Sequence, residues 1–221
     1  MAGAIPKVKI CCITRQAEAQ LAVRLGARAL GFVSAMPSGP GVISELHIAA
    51  IVAQVPTSID TFLLTSAVDP DTLVAQRART GVNTLQLCDR LPAHALAVLR
   101  QRLLGVQLVQ TIHVTGPEAV EQALTVSALV DAILLDSGRP DAPVQELGGT
   151  GRTHDWALSQ KIVSRAPVPV YLAGGLSPEN VGDAIQAVRP FGIDVCSSVR
   201  SAGQLDAGRL RAFFDAIAAC A

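Results

Sequence analysis

The chain has 221 residues, of which 50% are hydrophobic and 16% charged, and its 18 basic residues balance its 18 acidic ones. This length and apolar content suffice for one sizeable core, and a zero net charge without a basic block argues against a nucleic-acid partner. No apolar run reaches the roughly 18 residues of a membrane span, and the N-terminus lacks the pattern of a secretory signal. We therefore expect a cytoplasmic protein that has no membrane partner.

The cysteine content points to reduced thiols. Five cysteines are an odd number, and their spacing is not that of a secreted disulfide framework. No set of cysteines and histidines has the spacing of a structural zinc site, so no bound metal is expected.

Short β-rich apolar runs alternate with segments of helical periodicity along the whole chain. In chain order, the predicted strands cover residues 8–14, 29–34, 61–66, 84–88, 106–114, 131–136, 169–173 and 193–197. The helices that follow them cover residues 17–25, 45–54, 70–79, 92–103, 117–127, 155–164, 178–188 and 206–219. Eight such units at this length predict an α/β fold, a single-domain (β/α)₈ TIM barrel over residues 1–221. A Rossmann domain would need a glycine-rich turn after its first strand, where this chain reads Ile-Thr-Arg-Gln.

Small residues follow the last three predicted strands. Barrel enzymes often bind phosphate in this quadrant, because small residues let backbone N–H groups approach an anion closely. One glycine-rich turn would indicate only a tight bend, but three at these places favour a phosphate site. The candidate phosphate-binding residues are Gly149, Gly151, Gly174, Gly175, Ser197 and Ser198.

Cys11 and Asp136 stand at the ends of the first and sixth predicted strands. An acid and a base at the rim of one barrel can face a small substrate from opposite sides. From position alone, two plainer alternatives stay open: Cys11 as a buried inert thiol, and Asp136 as a helix cap or loop acceptor.

Six segments, which run in order from the first strand to the eighth, resemble the phosphoribosylanthranilate isomerase family. Residues 9–14 read Lys-Ile-Cys-Cys-Ile-Thr where the family usually reads Lys-Ile-Cys-Gly-Ile-Thr. The run at 148–156 contains Gly-Gly-Thr-Gly and Asp-Trp, and that at 173–181 contains Gly-Gly-Leu-Ser-Pro-Glu-Asn-Val. The remaining segments are residues 31–33, 134–136 and 188–195.

The resemblance implies a (β/α)₈ fold and an Amadori rearrangement of a phosphorylated small-molecule substrate, with no metal or organic cofactor. The family's general base falls on Cys11 and its general acid on Asp136. Asp136 would protonate the ribose ring oxygen as the ring opens to an iminium. Cys11 would then remove the C2′ proton, because the iminium supplies the electron sink that a cofactor otherwise provides.

The chain departs from the family pattern where the aromatic acid is expected to bind. Gly41 stands where the family carries an arginine for the anthranilate carboxylate, so we expect weak binding of this substrate. Residues 88–89 read Cys-Asp in place of His-Gly, and Cys12 replaces a glycine. We expect Cys12 to face away from Cys11, because consecutive strand residues point to opposite sides. The candidate substrate-binding residues are Gly41, Cys88, His113, Asp194 and Arg200.

Three functions remain possible from the sequence. The first is a phosphoribosylanthranilate isomerase in which another cation, from Arg200 or Arg152, meets the carboxylate. The second is a paralogue that performs the same rearrangement on a different phosphoribosylamine, and the third is a catalytically silent phosphate-binding barrel. The presence of both Cys11 and Asp136 argues against the third.

Overall fold

The computed structural model describes residues 5–37, 39–138, 151 and 153–220. Eight parallel strands form a closed barrel in which each pairs with the next and β1 pairs with β8. The strands are β1 Lys7–Ile10, β2 Ala29–Val33, β3 Asp60–Thr65, β4 Thr84–Leu87, β5 Gln107–His113, β6 Ala132–Asp136, β7 Val170–Leu172 and β8 Gly192–Val195. The predicted (β/α)₈ barrel is confirmed.

A helix follows each strand and packs outside the barrel. The helices are α1 Gln16–Leu25, α2 Glu45–Val52, α3 Pro70–Thr80, α4 Ala93–Arg102, α5 Glu118–Ser127, α6 Trp156–Arg165, α7 Val181–Val188 and α8 Ala207–Ala218. Asp69, Asp155 and Asp206 begin α3, α6 and α8, and each carboxylate accepts a backbone N–H of the first turn. In the part of the chain that the structure describes, no helix is long and apolar enough to cross a membrane.

The alternation of side chains along each strand creates two apolar layers. On β2, Leu30 and Phe32 belong to the layer between strands and helices, whereas Ala29 and Val33 belong to the layer inside the barrel. The burial of such side chains is the main stabilising contribution to the fold. The inner layer leaves space at the carboxyl ends of the strands, where the predicted site residues lie.

A buried ion pair joins the first and last strands. Lys9 of β1 is in register with Asp194 of β8, and Lys9 Nζ donates to Asp194 Oδ2 at 2.8 Å. Burial alone would lower the pKa of Lys9, but the charge and hydrogen bond of Asp194 together with the two nearby thiols outweigh it, and the pKa is raised. The lysine therefore stays charged inside the barrel at the seam where the sheet closes.

Two strands end at least two residues earlier than predicted. β1 ends at Ile10 instead of residue 14, because Cys12 has a φ of 60°, in the left-handed region, and breaks the extended conformation. β8 ends at Val195 instead of residue 197, and Ser197–Val199 forms a 3₁₀ turn. This turn leads to a short hairpin of β9 Arg200–Ser201 and β10 Gln204–Leu205 before α8.

Candidate active site

The carboxyl ends of the strands surround an open cavity of about 670 Å³. Its wall combines apolar side chains such as Val33, Met36 and Leu64 with a smaller set of polar and thiol groups. That set consists of Cys11, Cys12, Gln86, Asp136, Asp194, Cys196 and Ser197. A cavity that combines apolar side chains with convergent polar groups at this end of a barrel is typical of a small-molecule site.

Cys11 lies one residue beyond β1 and faces the cavity with 5% of its surface exposed. Its backbone N–H donates to the carbonyl oxygen of Val195 at 2.9 Å, which holds the Cys11 backbone next to the end of β8. An ideal Cβ at Gly31 would come within 3.0 Å of Cys11 Sγ and 3.2 Å of Lys9 Nζ. The glycine therefore leaves room for both the Cys11 sulfur and the Lys9 ammonium group.

Asp136 is the last residue of β6, and its carboxyl group is buried in the cavity wall. Its Oδ1 accepts the backbone N–H of Ser137 at 2.7 Å. Burial raises the pKa of Asp136, and neither that hydrogen bond nor the charge of His113 offsets the effect. A carboxyl group with a raised pKa remains protonated closer to neutral pH, as a general acid must.

Most of the predicted phosphate-binding residues lie together on one side of the cavity. These are Gly151, Gly174, Gly175 and Ser197. Ser198 follows Ser197 in the chain, but its hydroxyl donates to the carbonyl oxygen of Leu176 at 2.6 Å and so stabilises the loop after β7. Gly149 lies outside the described residues.

Two polar side chains of the cavity wall have an oxygen without a partner among the described residues. Asp194 uses Oδ2 for Lys9, whereas its buried Oδ1 is unpaired. On β4, Gln86 Nε2 reaches Thr111 Oγ1 at 3.4 Å, and the buried Oε1 is unpaired. Because buried acceptors are normally hydrogen-bonded, these oxygens are candidates to accept hydrogen bonds from a ligand.

Cys88 and His113, two predicted substrate contacts, do not line this cavity. His113 Nε2 lies 3.1 Å from the carbonyl oxygen of Cys88, and both residues line a separate hollow beside α4 and α5. The Cys88 sulfur turns back towards the carbonyl oxygen of Gln86, 3.7 Å away, and burial raises its pKa to about 12. Cys88 is therefore a packing thiol of the layer inside the barrel, 1% exposed and outside the described cavity wall.

Arg200, a third predicted substrate contact, is engaged behind the cavity. Its guanidinium donates to Glu18 Oε1 at 3.0 Å and to the carbonyl oxygens of Cys11 at 3.0 Å and Cys12 at 2.5 Å. The side chains of Arg200 and Glu18 are each only 8% exposed. Arg200 therefore fixes the turn after β1, and the structure does not bring it to the substrate side.

The expected separation of Cys11 and Cys12 is wrong, because both line the cavity. Strand alternation stops at Ile10, and the positive φ of Cys12 turns its side chain towards the mouth of the barrel. Gly41 packs against this residue from the loop after β2. An ideal Cβ at Gly41 would lie 2.6 Å from Cys12 Cβ, and Gly41 itself has a φ of 81°.

Comparison with known proteins identifies the family. The family model described as N-(5'phosphoribosyl)anthranilate (PRA) isomerase matches residues 8–216. The chain belongs to the phosphoribosylanthranilate isomerase family. N-(5'-phosphoribosyl)anthranilate isomerase 2 of Methanosarcina mazei is 34% identical over 195 residues, which cover 88% of this chain and 85% of that protein. The isomerase of Nostoc punctiforme is 34% identical over 213 residues, covering 95% and 97% of the two chains.

Solved structures of family members have the same architecture. Phosphoribosyl anthranilate isomerase from Thermotoga maritima superposes with a TM-score of 0.84 at 29% identity, covering 97% of this chain and 99% of that one. Another solved phosphoribosyl anthranilate isomerase contains reduced 1-(o-carboxyphenylamino)-1-deoxyribulose 5-phosphate. It superposes with a TM-score of 0.81 at 27% identity, over 97% of this chain and 99% of that one.

The cation expected for the carboxylate in this family has no replacement in the described cavity wall. Neither lysine nor arginine is among the described residues that line it. Arg200 is held by Glu18, and Arg152 lies outside the described residues. The described residues also contain no group of three or more His, Cys, Asp or Glu side chains that could hold a metal ion.

The sequence analysis missed Lys9 and Gln86 as members of the site. Both are polar residues in strands that are otherwise buried, and strand alternation places both on the inner side with Cys11 and Cys88. A polar residue at an inward position of a barrel strand was the signal that could have identified them.

Proposed function

We propose that this chain isomerises N-(5-phosphoribosyl)anthranilate to 1-(2-carboxyphenylamino)-1-deoxyribulose 5-phosphate, a step of tryptophan biosynthesis, with Cys11 as base and Asp136 as acid. The observation that carries this proposal is that both side chains line one cavity, beside the small residues of the candidate phosphate site. The binding of a reduced product analogue by a solved family member supports the choice of substrate.

Asp136 would act first. The ring oxygen of the ribose must gain a proton as the C1′–O bond breaks and the amine nitrogen forms an iminium. The raised pKa of Asp136 supports this role, because a buried carboxyl group keeps its proton until the substrate accepts it.

Cys11 would then remove the proton from C2′. The C–H bond is acidified by the neighbouring iminium, and loss of the proton gives an enolamine that tautomerises to the ketose. The position of Cys11 supports this role, because its side chain lies in the same cavity wall as Asp136. The unpaired Oδ1 of Asp194 in the same wall could accept a hydrogen bond from a ribose hydroxyl group.

The phosphate and the carboxylate would be bound unequally. Small residues in the cavity wall, Gly174, Gly175 and Ser197, would let their backbone N–H groups approach the phosphate group closely. The carboxylate lacks the arginine of the family at Gly41. Because such a contact is made in ground and transition states alike, its loss raises KM more than it lowers kcat.

Steady-state assays with N-(5-phosphoribosyl)anthranilate, following the loss of substrate fluorescence, test the proposal. We expect turnover with a KM above that usual for the family. Cys11→Ser and Asp136→Asn should each lower kcat by at least about 10²-fold, the usual effect of removing a general base or acid.

Cys220→Ser is the matched control, because Cys220 lies just beyond α8, where its thiol donates to the carbonyl oxygen of Ala216 at 3.2 Å and is not part of the cavity wall. This variant should retain wild-type kcat. Absence of turnover in the folded wild-type protein would contradict the proposal and favour a different phosphoribosylamine substrate. Full activity of either active-site variant would contradict the assigned roles.

A further inference from the structure

Cys12 and Cys196 bring two sulfurs together at the seam between the first and last barrel strands. Their Sγ atoms are 2.8 Å apart, although the residues are 184 positions apart in the chain. Both sulfurs lie in the cavity wall that also contains Cys11. The proposed isomerisation needs only Cys11, so this pair of thiols has no role in that reaction.

The two sulfurs differ in reactivity. The hydrogen bond from Cys12 and the charge of Arg200 lower the pKa of Cys196, against the effect of burial. Hydrogen bonds to Cys11 and Cys196 raise the pKa of Cys12, and burial adds to the effect. Cys196 is half-buried and lines the open cavity, whereas Cys12 is 5% exposed. Cys196 is therefore the accessible nucleophile, with Cys12 directly behind it.

We propose that Cys12 and Cys196 form an oxidisable dithiol, a modification site that reacts with low-molecular-weight disulfides and closes to a Cys12–Cys196 disulfide. The Cys196 thiolate attacks one sulfur of the reagent, whose S–S bond breaks, and the first reagent thiolate leaves and takes a proton. Cys12 then loses its proton and attacks Cys196 Sγ, which expels the second reagent thiolate. Two protein thiols are oxidised, and one reagent disulfide is reduced to two thiols.

The local geometry favours this closure. A disulfide joins sulfurs at about 2.05 Å, so the pair must approach by less than about 1 Å. The backbone is already held in place, because the N–H of Cys11 donates to the carbonyl oxygen of Val195 at 2.9 Å. Arg200 holds the carbonyl oxygen of Cys12 on the same side. Closure therefore needs a side-chain movement and no rearrangement of the barrel.

The disulfide should also affect catalysis, and this part of the inference rests on the proposed function. Closure moves the Cys12 and Cys196 sulfurs together in the cavity wall that also contains Cys11. Because Cys11 directly precedes Cys12, this movement changes the packing around the Cys11 sulfur and its position relative to the substrate. We expect the oxidised protein to turn over N-(5-phosphoribosyl)anthranilate at least about tenfold more slowly, with recovery on reduction.

The test equilibrates the full chain with mixtures of oxidised and reduced glutathione, alkylates the remaining thiols and digests the protein with trypsin. The expected product joins peptide 10–15 to peptide 166–200, and fragmentation assigns the link to Cys12 rather than Cys11. The number of free thiols should fall from the five of the sequence by two. Cys12→Gly and Cys196→Ser should lose the link, whereas Cys220→Ser should retain it.

Separate alkylation of Cys12 and Cys196 under the most oxidising mixture, or a link through Cys11, would overturn the dithiol. A link that forms without loss of turnover would overturn its effect on catalysis. The two proposals fail separately, because the peptide link is measured without substrate. A protein that forms the link on oxidation, but does not turn over substrate in its reduced state, would contradict only the proposed function.

Discussion

Cys12 and Gly41 occupy one small volume at the mouth of the barrel. The overlap that an ideal Cβ at position 41 would make with Cys12 shows that only one of them can carry a side chain without displacement. The family pattern has the opposite arrangement, with glycine at position 12 and arginine at position 41. The geometry therefore indicates that side chains at these two positions compete for the same space.

This pairing predicts how the arginine can be restored. Gly41→Arg alone should destabilise the protein by about 2–4 kcal/mol, because it adds left-handed strain and overpacks Cys12. In the Cys12→Gly background the same change should cost less, with a favourable coupling of about 0.5–3 kcal/mol. Only the double variant should lower KM for N-(5-phosphoribosyl)anthranilate.

Denaturant unfolding of the two single variants and the double variant measures this coupling, and assays on the same proteins measure KM. Cys12→Gly alone is the internal control, because it removes the overlap without adding a charge. Strictly additive changes in unfolding free energy would show that the two positions do not compete for space.

At the scale of secondary-structure elements, Glu18 and Arg200 connect three segments at one side of the barrel. Glu18 lies in α1 and accepts the backbone N–H groups of Thr14 at 2.9 Å and Leu205 at 2.9 Å. Its partner Arg200 begins the short hairpin and holds the turn that contains Cys11. The pair therefore links a helix, the hairpin and the turn that carries the proposed base.

The Glu18 carboxylate should make stability depend on pH. Burial would raise the pKa of Glu18, but hydrogen bonds from Thr14 and Leu205 and the charge of Arg200 outweigh it, and the pKa is lowered. A lowered pKa in the folded state means that the contribution is present above the ordinary value of about 4.3 and is lost as pH falls through the folded value.

Glu18→Gln should cost about 3–5 kcal/mol at pH 7, because it leaves Arg200 buried without its counter-charge. The difference from wild type should shrink as the pH falls below about 4. Glu45→Gln is the matched control: Glu45 pairs with Arg79, whose side chain is 55% exposed. A surface pair is worth at most about 1 kcal/mol. Equal losses for both variants, measured by unfolding at pH 7, would contradict this account.

At the scale of the whole molecule, the order of all eight strand and helix units could be predicted, because each strand is a short apolar run followed by a segment with helical periodicity. The same rule places the ends of the strands at one rim, which is why Cys11, Asp136 and Gly175 could be expected near one another. The position of Cys12 could not be predicted, because its positive φ ends the alternation on which the prediction depended. The use of Arg200 could not be predicted either, since its partner Glu18 is 182 residues away and no local pattern connects them.

The central claim is that one cavity holds the phosphate, the proposed acid and the proposed base around a single substrate. A crystal structure of this protein with reduced 1-(o-carboxyphenylamino)-1-deoxyribulose 5-phosphate tests it most directly. We predict the phosphate at the backbone of Gly174, Gly175 and Ser197, with C2 of the ligand within about 4 Å of Cys11 Sγ and Asp136 on the opposite side of the sugar chain. A phosphate bound elsewhere, or a ligand whose C1 and C2 lie out of reach of both side chains, would contradict the claim.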